Sequence, residues 1–405
     1  MKQPDTRRLI FRLFLPFAAG YFLSYLYRTA NAVLGPVIAR ELALSDSALG
    51  LLTSVYFLAF GTAQLPLGVA LDRFGPRRVE AALLLVAASG AVIFALADDL
   101  TGLTLGRALI GLGVAACLMA SFKAFSQWFA PEQQAALTGW VMAAGGLGAL
   151  IAAKPLELML GLTGWRGIAL ILAALTVAVA LLLWRLAPDK PSESQRGSPR
   201  QQGAGLRDIF SSRHFWVYAP VGFCFTGGFM AIQGLWVARW LNVIENLDGP
   251  AIATRLTGIG LAMLGGFLFM GFFATTLTRR GVSLEKLYRA AMTLAFSAFA
   301  LICAYPGLAG AWLWPILGAC FSLSNIAYSL VAKAFPPALS GRANTALNLF
   351  VFAGAFGLQW GIGVLVDLLR SNGWAVTTAY RATFFTLLGA QLLALGWLLL
   401  AARRR

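Results

Sequence analysis

Twelve apolar runs of about 20 residues or more divide the chain, at 10–36, 46–70, 77–97, 101–128, 136–160, 167–187, 214–241, 252–277, 286–306, 309–335, 342–368 and 379–401. A run of that length crosses the ~30 Å hydrocarbon layer as a helix. In lipid every backbone N–H and C=O must find its partner within the protein, which leaves helices and closed barrels as the spanning structures. The pattern predicts an all-α integral membrane protein with twelve transmembrane helices. Composition agrees, with 59% hydrophobic residues, 12% charged residues and a mean hydropathy of +0.75. The net charge of +16 does not point to nucleic acid, because the basic residues cluster between the apolar runs and form no face interleaved with aromatics. They follow the positive-inside rule instead. With the N-terminus inside, 22 Lys and Arg fall on inner connections or the inner ends of runs and six on outer ones, leaving four, Arg28, Arg107, Lys123 and Lys154, deeper within the runs. The expected setting is the inner (plasma) membrane, multi-pass, with both termini cytoplasmic. Cys117, Cys224, Cys303 and Cys320 all lie inside runs and read as packing residues rather than a disulfide framework.

The longest polar stretch, "APDKPSESQRGSPRQQGAGLRD" at 187–208, is too poor in apolar residues to fold and reads as a flexible linker. The expected organisation is a six-helix bundle over 1–187, a cytoplasmic linker over 188–213 and a second six-helix bundle over 214–405. A constant offset of 206 residues sets "DRFG" (72–75) on "TRRG" (278–281), "WFAP" (128–131) on "AFPP" (334–337) and Gly148 on Gly354. A duplicated, pseudo-symmetric pair of bundles explains this, and such halves carry a site at their interface and expose it alternately by rocking.

Between spans 2 and 3 stands "GVALDRFGPRR" (68–78). Gly68 and Gly75 permit close backbone approach and a tight turn, and Pro76 suits the first turn of the following helix. Asp72, at the end of span 2, is placed to accept from a helix N-terminus or from nearby arginines. Gly68, Asp72, Arg73, Gly75, Arg77 and Arg78 therefore read as a cytoplasmic gate motif. This stretch resembles the loop signature of the major facilitator superfamily, and the resemblance extends to the twelve spans, the linker, the half-repeat and the R-x-x-x-G of span 4 (Arg107, Gly111). The stretches 41–75 and 123–134 look most like the anion:cation symporter group and its relatives. That group carries an arginine in span 1 and another in span 4, which fall on Arg28 and Arg107. Its span 4 carboxylate falls on Val114 here, which removes the usual proton-coupling route. The glycine–proline pair of drug:proton antiporters reads Ala152–Ala153.

Clear of the span ends, the ionisable residues are Arg28, Arg107, Lys154 and Glu157, a cationic excess. Arg28 lies about 27 Å along its helix, in the outer half of the bilayer. Tyr21, Tyr25 and Arg28 share a helix face, with Ser24 and Asn31 beside it. A planar guanidinium flanked by tyrosines suits a bidentate carboxylate or phosphate; the alternative is snorkelling to the outer headgroups. Arg107 either contacts substrate and takes part in coupling or braces the outer helix ends. Lys154 and Glu157, three apart, can pair, and Glu157 reads as the only carboxylate well inside a span, hence the candidate for proton coupling. The second half offers Gln233, Trp236, Asn325, Tyr328, Asn348 and Gln359, and span 2 adds Tyr56 and Gln64. Each amide equally suits interhelical glue.

The leading function is a secondary transporter of a small organic anion, by symport with H+ or another cation, acting as a monomer in the lipid bilayer. Export of amphipathic compounds is the second transporter reading, and a non-transporting receptor or scaffold is the reading from another class. An enzyme would need clustered His, Cys or Asp, whereas the sole histidine, His214, sits at the linker edge. No cofactor or metal is called for, and no nucleotide-binding loop is present.

Overall fold

A computed structural model describes residues 10–129, 131–188, 207–307 and 310–403. The secondary-structure elements among the described residues are helices. Most of the linker, 189–206, and the ends of the chain lie outside the described residues. Eleven helices are long and apolar enough to cross a membrane, and Ala136–Ile151 is a shorter apolar helix. The helix Lys154–Leu186 is continuous only in its hydrogen bonding, because Gly164 at φ +66° and ψ 175° turns the chain inside it. Residues 154–163 thus continue the fifth span beyond Pro131–Ile151, and 165–186 form the sixth, giving twelve spans.

The chain divides into two compact units. The first comprises Met1–Ala43 and Val55–Ser194, the second Leu44–Ser54 and Gln195–Arg405. The span 2 helix, Asp46–Phe74, is shared: its first turns belong to the second unit and the rest to the first.

Local sequence explains many of the ends. Asp99 caps the outer end of span 4 by accepting from the Gly102 N–H at 2.8 Å. Gly75 takes φ +81°, a conformation that suits glycine, and Pro76 opens span 3 behind it. The repeat read at an offset of 206 has a packing basis within each unit. A β-carbon on Gly148 would overlap the Phe22 carbonyl oxygen, and one on Gly354 would overlap that of Phe223. Span 5 thereby lies on the backbone of span 1 in one unit, as span 11 lies on span 7 in the other.

Three spans are interrupted. Span 4 is two helices, Leu100–Gly113 and Cys117–Trp128, joined through residues 114–116. Span 5 breaks at Ala152–Ala153, just before Pro155, whose missing N–H cannot continue the ladder. Span 10 divides at Asn325 into Gly310–Ser324 and Ile326–Ala332. Span 7 contains two π-helical stretches, Gly222–Gly227 and Ile232–Trp236. Such wide turns are rare and gather at functional sites.

Candidate substrate site

In the first unit Arg28 is buried, at 6% exposure, inside an aromatic box. Its guanidinium carbon lies 4.5 Å from the Tyr25 ring centre and 5.3 Å from that of Phe60. The Tyr56 hydroxyl accepts from the guanidinium and donates to the Ser24 carbonyl at 3.2 Å. The other face of the sequence pattern also holds: Tyr21 meets Tyr25 edge to face at 5.3 Å. Asn31 is buried nearby in sequence.

Arg107, 4% exposed, reaches the same tyrosine. Its guanidinium carbon lies 5.3 Å from the Tyr56 ring centre, and its Nη1 donates to the Tyr27 carbonyl at 3.1 Å. Its Nε has no hydrogen-bond partner among the described residues. Two desolvated cations therefore converge on one neutral phenol, which is a strongly electropositive spot in a low-dielectric medium.

Gln64 serves the backbone. Its Nε2 donates to Ala115 O at 3.1 Å, and the Ser24 hydroxyl donates to Val114 O at 3.4 Å. Both carbonyls lie where span 4 leaves the regular α-helix, and that of Val114 also accepts from the Cys117 N–H at 3.3 Å. Val114, where the symporter group's carboxylate would fall, is itself part of that opening. Lys154 and Glu157 pair at 2.7 Å in the outer segment of span 5.

The gate motif makes several of its contacts with other spans. Asp72 pairs with Lys123 of span 4. Arg77 donates to the Ala187 carbonyl at 3.1 Å and lies over Trp184, tying span 3 to the end of span 6. Arg73 lies over the Phe74 ring, and Arg78 is exposed. Gly75 makes the expected turn. Gly68 does not make the expected close approach: it is exposed, and nothing lies within 4 Å of where its β-carbon would be.

In the second unit Gln233 lies in a π-helical stretch and its amide meets the Met263 sulfur at 2.8 Å. Trp236 is fully buried and donates to Gln359 O at 2.9 Å. Asn325 stands at the break in span 10 and donates weakly to Ser322 O at 3.4 Å, and Tyr328 donates to Asn348 Oδ1 at 2.7 Å. The Gln359 side-chain amide is buried without partners among the described residues. At the outer end of this unit Asp46 accepts from Arg239 at 2.6 Å and from the Tyr380 hydroxyl at 2.7 Å, with Arg370 at 3.8 Å. Asp367 accepts from the Ser47 N–H at 2.8 Å.

The family model described as Major Facilitator Superfamily matches residues 17–359. The chain belongs to this superfamily. Among relatives in the superfamily, the hexuronate transporter of Bacillus subtilis is 25% identical over 397 residues, 88% of this chain and 92% of that protein. The probable sulfoacetate transporter of Cupriavidus necator is 25% identical over 309 residues (72% and 68%), and the probable L-galactonate transporter of Escherichia coli is 27% identical over 285 residues (67% and 62%). The superfamily fold is shared with a solved bacterial homologue of the human lysosomal transporter Spinster, at TM-score 0.79, 19% identity and 96% of each chain. A D-xylose–proton symporter matches at TM-score 0.75 and 15% identity over 96% and 97%. This is a multi-pass membrane protein of a transporter superfamily, not an enzyme.

Within this transporter the structure brings Arg28, Tyr25, Tyr21, Tyr56 and Arg107 into one cluster, and it uses Gln64 and Trp236 on backbone carbonyls. Two carboxylates were missed by sequence reasoning. Asp46 reads as a helix-start residue in an outer loop, and only the fold gathers Arg239, Tyr380 and Arg370 on it. Glu80 reads as an inner-end charge four residues after Pro76, yet it is wholly buried. Its one sequence signal is that it stands among apolar neighbours at the head of "VEAALLLV".

Proposed function

We propose that this protein is a secondary transporter carrying a small organic anion by alternating access, with H+ moving in the same direction. The observation that carries the reading is the convergence of two buried guanidiniums, Arg28 and Arg107, on Tyr56. An anion accepting from the Arg28 fork offsets the cost of holding that charge in hydrocarbon and gains bidentate geometry. Tyr25 and Phe60 supply apolar faces for the body of the molecule. The named substrates of the relatives, sulfoacetate, galactonate and hexuronate, are all carboxylates, and sulfoacetate adds a sulfonate. The 22 to six division of inner and outer cations supports a reading with both ends on the cytoplasmic side.

Thermal unfolding of the purified protein in detergent tests this. Sulfoacetate, L-galactonate and D-glucuronate are added separately, with neutral D-xylose as control. A ligand at a hundredfold excess over its Kd stabilises by about 2.7 kcal/mol, so at least one anion raises the transition temperature while xylose does not. Arg28→Gln abolishes the response in a protein that still unfolds cooperatively. An unchanged response in Arg28→Gln, or none to any anion in wild type, refutes the assignment.

A further inference from the structure

We propose that Glu80 is the proton-carrying residue of the transport cycle, an assignment that rests on the secondary-transporter reading. Glu80 is 0% exposed, and neither carboxyl oxygen has a geometric hydrogen-bond partner among the described residues. The side chain is clamped by two other spans. Its Oε1 occupies the space where a β-carbon of Gly20, on span 1, would stand. The Cys117 thiol, at the head of the inner helix of broken span 4, is its nearest polar neighbour.

No charge faces it. Among the described residues no ion pair includes Glu80; Arg28 on span 1, whose charge reaches Cys117, and Arg107 on span 4 are held against Tyr56, and other cations on the elements around it are engaged or exposed. Arg77 donates to Ala187 O. Lys123 pairs with Asp72, and Arg166 pairs with Glu41 and Asp98 at the outer end of span 6. Arg12, Arg78 and Arg185 are exposed. Its titratable neighbour, Cys117 on span 4, is neutral in its ordinary form. An ionised carboxylate in such a place costs several kcal/mol, so in this conformation the group is the neutral acid.

The same site is poised to lose that proton. Glu80 lies one helical turn, about 6 Å, from the cytoplasmic start of span 3 at Pro76. Its two walls are the segments that also carry the substrate-site arginines. Gly20 is eight residues, about 12 Å, from Arg28, and Cys117 is ten residues, about 15 Å, from Arg107 across the joint in span 4. A shift of span 1 or of the Cys117–Trp128 helix opens the pocket to water. The carboxyl O–H then breaks, the proton passes to cytoplasmic water and a solvated carboxylate remains. Glu157 is already paired with Lys154.

The test uses the full-length protein as wild type, Glu80→Gln and Glu80→Met, the last as an apolar filler should the amide not fold. Infrared difference spectroscopy between H2O and D2O reads the carbonyl stretch of protonated carboxyls. Proteoliposomes with a one-unit inward proton gradient read accumulation of D-glucuronate, sulfoacetate and L-galactonate, alongside gradient-free anion exchange. In wild type a protonated-carboxyl band is expected that both variants lack. One proton per monovalent anion gives about tenfold accumulation for one pH unit, and the variants are expected to keep exchange while accumulation falls to onefold. A band that persists in the variants, or variants that accumulate as wild type does, overturns the assignment to Glu80. If wild type moves none of the three anions, the anion reading fails by itself, and Glu80 stands or falls on the band alone.

Discussion

The Asp46 carboxyl meets two arginines under contrasting conditions, and the contrast can be weighed. Arg239 donates to Oδ1 at 2.6 Å, its side chain is 23% exposed, and the Tyr380 hydroxyl completes the group. Arg370 approaches Oδ2 only to 3.8 Å and is 47% exposed, while the Asp46 side chain itself is 2% exposed. Removing one partner of a fully buried pair costs about 3–5 kcal/mol. Arg239 keeps some solvent, and asparagine at 46 retains a neutral acceptor, so the coupling between 46 and 239 is expected to be about 2 kcal/mol. The longer, half-exposed pair with Arg370 belongs with surface pairs, at about 0.5 kcal/mol or less. Double-mutant cycles built from Asp46→Asn, Arg239→Gln and Arg370→Gln, read by denaturant unfolding in detergent micelles, measure both. A coupling for Arg370 equal to or above that for Arg239 refutes the reasoning, as does an Arg239 coupling under about 0.5 kcal/mol.

Two further outcomes follow from packing and from burial. Gly148→Ala and Gly354→Ala each force a β-carbon onto a neighbouring carbonyl and are expected to destabilise by about 1–3 kcal/mol. Gly161→Ala, with nothing within 4 Å, is expected to be neutral or to stabilise by up to about 1 kcal/mol; equal effects at all three positions in the same unfolding assay contradict the packing account. Between spans 7 and 8, burial raises the pKa of Glu245 above its ordinary 4.5, against a smaller opposing pull from Arg255. A carboxyl raised on folding lends stability below its unfolded pKa that is lost as pH climbs through the folded value. Glu245→Gln should therefore gain on wild type as pH rises upward from 4.5; a gap that narrows over that range counts against burial as the controlling effect.

The spans were legible because lipid leaves the backbone no other solution, and the turn at Gly75–Pro76 was legible because its chemistry is local. Tyr21, Tyr25 and Arg28 could be grouped from helical spacing, as could the Lys154–Glu157 pair. Phe60 over Arg28, and Arg107 over Tyr56, join spans far apart in sequence and have no local signature. The opening of span 4 was invisible for a related reason: "LGVAACL" holds no proline and suits a helix throughout, and the opening is stabilised by Gln64 and Ser24 from other spans. Glu80 was hidden by its position near a basic loop, since its burial depends on a glycine 60 residues earlier. Gly68 shows the converse, a motif residue whose expected contact is absent from this conformation.

The joint in span 4 also bears on the lipid around the protein. Its two helices, 14 and 12 residues long, measure about 21 Å and 18 Å, together longer than a hydrocarbon layer of ~30 Å. A single rod of that length would have to tilt as a whole to match the membrane. A joint at 114–116 gives the span a place where its two pieces can differ in tilt. Arg107 and the tyrosine it faces lie on the outer side of that joint.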